Sequence, residues 1–122
     1  MWLIQGLFFQ KNPRKCVGVE DREMYSGIIR RHKTTGDLSG GLTDRWGRSK
    51  LSNIQLSEDR LSFTKRYDFR PAIEYSFVLH EGVWLGSYTG LDAGRGESWC
   101  ILHEVKDEMF DSAYLDKLFK DR

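Results

Sequence analysis

Cysteine and proline are scarce in this chain: two of each among 122 residues. Two thiols, Cys16 and Cys100, are too few for a disulfide scaffold, so a cytoplasmic protein with reduced thiols is the expectation. Pro13 and Pro71 both fall in connections between apolar segments. No excess of one charge exists either. Nineteen Lys and Arg against 18 Asp and Glu leave +1, which gives no general reason to expect nucleic acid. No apolar run is long enough to cross a bilayer. Residues 1–9 are apolar, but Gln5 and Gly6 interrupt them, and neither a basic leader nor a small-residue cleavage site accompanies them. With no repeat, low-complexity tract or linker, residues 1–122 are expected to form one domain.

What is present suits a soluble core-forming chain. Hydrophobic residues make up 39% and charged residues 30%, which argues against disorder. Aromatics reach 13%, with four tryptophans, enough to fill a core or to wall a pocket. The charge is uneven. Residues 1–61 carry 11 basic and 7 acidic side chains, a net +4; residues 62–122 carry 8 and 11, a net −3. Such asymmetry favours head-to-tail contacts, although composition alone also produces it.

Apolar alternation and turn signals divide the chain into eight short strands. They cover Trp2–Gln10, Met24–Lys33, Leu38–Trp46, Lys50–Leu56, Arg60–Asp68, Ala72–His80, Val83–Gly90 and Ser98–Val105. Thr34-Thr35-Gly36-Asp37, Gly47-Arg48-Ser49, Ser57-Glu58-Asp59 and Glu81-Gly82 supply tight turns. Eight sequential strands with short connections predict an all-β, antiparallel up-and-down barrel over residues 2–105, with an open two-sheet sandwich as the alternative. The long first connection would lie across one barrel mouth. Asp107 as a cap, with Phe110, Tyr114, Leu115, Leu118 and Phe119 on one stripe, predicts a C-terminal helix over residues 107–120. Its apolar face would pack on the barrel wall or on a second subunit.

Side-chain parity singles out two charges. Asp44 alternates with Leu42 and Trp46. Lys65 alternates with Leu61, Phe63 and Tyr67, while Arg60, Ser62, Thr64 and Arg66 form a polar opposite face. Both charges are therefore expected to point inward, where an unpaired charge would cost several kcal/mol, on the order of a domain's whole margin. The expected interior also holds Ile54, Leu56, Ile73, Tyr75, Phe77, Trp99 and Ile101. Apolar bulk with a few polar groups is the composition of a ligand cavity.

Two local motifs extend this reading. Trp84-Leu-Gly86-Ser-Tyr88, a Gly-containing loop and then Trp99-Cys-Ile-Leu102 resemble the consecutive Trp-bearing strands of avidins. Phe63-x-Lys65-x-Tyr67 followed by Ile73-x-Tyr75 is similar to a strand pair of small uncharacterised barrels. Together with the meander they resemble the calycin superfamily of lipocalins, fatty-acid-binding proteins and avidins. That resemblance implies a closed barrel with an internal cavity, walled by Trp84 and Trp99. It does not imply biotin binding, because the pocket Asn, Ser and Asp residues and the late Trp loop of avidins have no counterpart.

The functional expectation is a small polar, anionic or aromatic ligand in the barrel interior. Asp44, Lys65, Tyr67 and Tyr75 would make its polar contacts, and Trp46, Trp84 and Trp99 would form its walls. The bland alternative for Asp44 and Lys65 is a salt bridge that only specifies packing. No catalytic residue, metal site or cofactor is assigned, and catalysis is not expected. His32, His80 and His103 lack zinc-ligand spacing. Asp92-Ala-Gly94-Arg-Gly96-Glu97 lacks the Lys-Ser/Thr ending of a phosphate loop. The partners expected are a small molecule and no nucleic acid or membrane. The competing expectation is an interaction module with a filled barrel and no ligand, in which the seventh strand and the C-terminal helix form a partner or self-association surface, a homodimer among the outcomes.

Overall fold

A computed structural model of the chain describes residues 1–10 and 21–106. Eight strands follow in order: β1 (Trp2–Gln10), β2 (Asp21–Arg31), β3 (Leu38–Asp44), β4 (Gly47–Leu56), β5 (Arg60–Tyr67), β6 (Ile73–His80), β7 (Val83–Gly90) and β8 (Gly94–Glu104). Each pairs antiparallel with its sequence neighbours, and β1 pairs with β8, so the sheet closes into a barrel. Closure excludes the open sandwich. The expected helix over 107–120 and the long first connection both fall outside the described residues.

Inward side chains alternate with outward ones on β5 and β6, as the two-residue period of a half-buried strand requires; the outward set is polar apart from Val78. Leu61, Phe63 and Lys65 are buried opposite Phe77, Tyr75 and Ile73. The rings of Phe63, Tyr75 and Tyr88 then form a row across β5, β6 and β7, with centroids 5.1 and 5.4 Å apart. Glycines make space for the larger rings. A Cβ on Gly6 would lie 2.4 Å from the Tyr25 ring, its direct cross-strand partner.

Two strands depart from simple alternation. On β4 the register shifts between Ser52 and Gln55, and Asn53 adopts a left-handed φ of 49°. This bulge reverses parity, so Leu51 before it and Ile54 and Leu56 after it all pack on the core.

On β8 the expected orientation was one residue out of phase. Ser98, Cys100 and Leu102 face the interior; Trp99, 47% exposed, and Ile101 lie on the outer wall. The physical reason is Ser98. Its hydroxyl donates to the Leu7 carbonyl at 2.9 Å and lies 2.8 Å from the Tyr25 hydroxyl. A polar residue satisfied inside the barrel and a tryptophan outside it invert the hydrophobic pattern. Trp46 also leaves the expected interior: it sits in the β3–β4 turn, 55% exposed, under the Arg45 guanidinium.

Candidate functional site

Among the described residues, three connections meet at one end of the barrel: the β3–β4 turn at 45–46, the β5–β6 loop at 68–72 and the β7–β8 turn at 91–93. Asp44 terminates β3 there. Its Oδ1 accepts the Trp46 backbone N–H at 2.8 Å, a local side-chain-to-backbone bond that suits aspartate at the start of a turn. Its Oδ2 accepts from the Lys65 ammonium at 2.8 Å and from the Tyr67 hydroxyl. Lys65 and Tyr67 are two apart on β5 and so share its inner face. The Asp44 and Lys65 side chains are 0% and 1% exposed.

Four rings surround the ammonium. Lys65 Nζ lies 4.7 Å from the Tyr67 centroid, 5.1 Å from Phe8, 5.6 Å from Tyr75 and 5.7 Å from Tyr25. Desolvated cation–π contacts are worth on the order of 2 kcal/mol. Burial pushes the Lys65 pKa down, and the bond and charge of Asp44 push it back up. Burial raises the Tyr67 pKa, reinforced by donation to Asp44 and opposed by the nearby Arg70 charge. The pair is thus self-contained, with each charge answered by protein groups.

A cavity of about 230 Å³ opens above this cluster. Phe8, Tyr67, Ile73, Tyr75, Tyr88 and Ala93 form its walls, and Trp46, Arg70, Pro71 and Asp92 lie at its rim. The Tyr88 hydroxyl donates to the Phe9 carbonyl at 2.9 Å. Tyr75 is different. The residue is 3% exposed and lines the cavity, and its hydroxyl, bonded to no protein group among the described residues, is open to that cavity. Burial, then the neighbouring Tyr88 and Asp44, keeps that hydroxyl protonated well beyond the usual phenol range. It is a neutral group able to donate and accept.

The seven residues singled out from the sequence separate into three groups. Tyr67, Tyr75 and Trp46 line the cavity. Asp44 and Lys65 meet each other behind its wall and do not line it. Trp84 and Trp99 lie elsewhere: Trp84 is buried opposite Leu79 and Cys100, toward the far end of the barrel, and Trp99 is on the outside. Neither tryptophan walls this cavity. Phe8, Arg70, Tyr88, Asp92 and Ala93 were not singled out. Tyr88 carried a signal, since it shares a face with Trp84 in W-x-G-x-Y. Arg70, Asp92 and Ala93 sit in loops, where side-chain parity says nothing.

No group of three or more His, Cys, Asp or Glu side chains placed to hold a metal ion occurs among the described residues. Cys100 is a buried free thiol, its pKa pushed up to about 12 by burial. No protein-family model matches the chain, and no curated protein or solved structure shows significant similarity to it.

Proposed function

We propose that this protein is a calycin-like binding barrel that takes a small, flat, polar molecule into its mouth cavity. One observation carries the reading: the Tyr75 hydroxyl, bonded to no protein group among the described residues, opens into an aromatic-walled cavity of about 230 Å³. A hydroxyl open to such a cavity offers both a donor and an acceptor to a molecule that enters it. The cavity falls below the roughly 300–1,000 Å³ of drug-sized sites, which favours a single ring over a lipid or fused-ring ligand. Lys65 and Asp44 support the walls in this reading rather than touch the ligand. The free thiol of Cys100 fits a cytoplasmic setting.

The test is a small-molecule screen by thermal shift and native mass spectrometry, repeated on Ala93→Trp, which fills the mouth. Compounds that raise the wild-type melting temperature and lose their effect in Ala93→Trp support the proposal. A screen of single-ring compounds in which none is retained overturns it.

A second reading, self-association, rests on the outer wall. Met24, Leu7, Trp99, Leu85 and Val78 are successive cross-strand partners on β2, β1, β8, β7 and β6. Together they form an apolar row across five strands, larger than the scattered apolar residues of an ordinary surface. Solution mass that halves on Leu85→Asp supports a homodimer through this row; a monomeric wild type removes it.

A further inference from the structure

Among the described residues, the rim of the mouth cavity carries one cation and one anion, Arg70 and Asp92. Both are exposed, and neither side chain makes an ion pair or hydrogen bond among the described residues. The contrast with the rest of the mouth is informative. Arg45 is paired with Glu23 at 3.1 Å and Lys65 with Asp44 at 2.8 Å. Arg70 and Asp92 instead come from two different loops and share a cavity without closing on each other. Below them the walls are rings, and the Tyr75 hydroxyl opens into the same space.

Resting on the reading of this cavity as a binding site, we infer that its ligand is an aromatic zwitterion of amino-acid type. The ring lies between Phe8, Tyr67, Tyr75 and Tyr88, and a polar ring substituent meets the Tyr75 hydroxyl. The carboxylate stays at the rim on Arg70, where a planar guanidinium matches it in bidentate fashion, and the ammonium faces Asp92. This arrangement buries the apolar part and leaves both charges partly in water, which avoids the desolvation cost of burying them. A ligand with one charge would leave one of the two rim groups without a counterion.

Calorimetric titration of the full chain with four probes tests each contact. Tyrosine carries both charges, tyramine the ammonium alone, 3-(4-hydroxyphenyl)propanoate the carboxylate alone, and p-cresol neither. Wild type is expected to bind tyrosine most tightly. Arg70→Gln should weaken tyrosine and the propanoate roughly tenfold, and Asp92→Asn should weaken tyrosine and tyramine by a similar factor. Both variants should bind p-cresol as wild type does, which shows that they are folded. If p-cresol binds wild type as well as tyrosine does, or if neither variant discriminates among the probes, the zwitterion inference falls and the cavity reading stands. If none of the four binds wild type, both fall.

Discussion

Lys65 and Asp44 meet at 2.8 Å inside the barrel, each with its side chain almost wholly removed from solvent. Around that contact the Tyr67 hydroxyl, the Trp46 N–H and four aromatic rings leave neither charge unanswered. A pair built this way is costly to break from one side and much less so to replace whole. Lys65→Met, which leaves a buried carboxylate behind, should lower stability by about 3–5 kcal/mol. Adding Asp44→Asn should return most of that loss, because Asn retains an acceptor for Trp46. Chemical denaturation of the four members of the cycle checks this; additive losses would mean that the two residues act independently.

Alkaline pH should unfold the barrel through its tyrosines. Burial raises the pKa of Tyr25, Tyr67, Tyr75 and Tyr88 above the usual value near 10. The unfolded state then loses protons that the folded state keeps, so stability is full below pH 10 and declines as pH rises beyond it. Lys65 works in the opposite sense. Its folded pKa is lowered, so its contribution grows as pH rises towards the ordinary lysine value. Four groups against one should leave a net decline above pH 10. Tyrosinate absorbance and circular dichroism followed together provide the measurement. Ionisation of all four phenols ahead of the loss of sheet signal would contradict the burial assigned to them.

The β4 bulge predicts a sharp dependence on residue type. Asn53 has a positive φ of 49°, a region that costs most non-glycine residues roughly 1–2 kcal/mol and β-branched ones more. Asn53→Gly should be neutral or stabilising, whereas Asn53→Val should lose about 2 kcal/mol. Deleting Asn53 should keep the fold, since removing the extra residue leaves Leu51, Ile54 and Leu56 in simple alternation on the inner face. Melting temperatures of the three variants rank these effects, and a deletion that unfolds the barrel would show that Asn53 does more than add one residue to the strand.

Ser98 predicts a coupled loss. Its hydroxyl links the Tyr25 hydroxyl to the Leu7 carbonyl across β2, β1 and β8. Ser98→Ala should cost about 1–3 kcal/mol by leaving buried polar atoms unpaired. Tyr25→Phe combined with it should cost less than the sum, as members of one network do. Strict additivity in urea unfolding would separate the two residues.

The residues that obeyed parity were legible before any coordinates. β1 and β7 have the boundaries read from their apolar runs, and Lys65, Tyr67 and Tyr75 point as alternation demanded. The opposite charges of Asp44 and Lys65 were placed inside by the same rule. Reading failed where a local bond outweighed hydropathy. Ser98 is polar and inside because two partners satisfy it, so Trp99 was assigned to the wrong face. The rim was illegible for another reason. Arg70 and Asp92 lie in loops whose course depends on which strands they join in space. Trp46 was counted as strand, while the Asp44 side chain had already begun the turn by capturing its N–H.

The circle is completed by the two strands farthest apart in sequence, with Trp2 opposite Glu104 and Gln10 opposite Gly96. Contacts of such long range are slow to form. During synthesis β1 leaves the ribosome first and must wait, with one row of backbone donors and acceptors unmatched, until β8 has emerged. The seam between them is therefore where a newly made chain is most open to pairing with a neighbour.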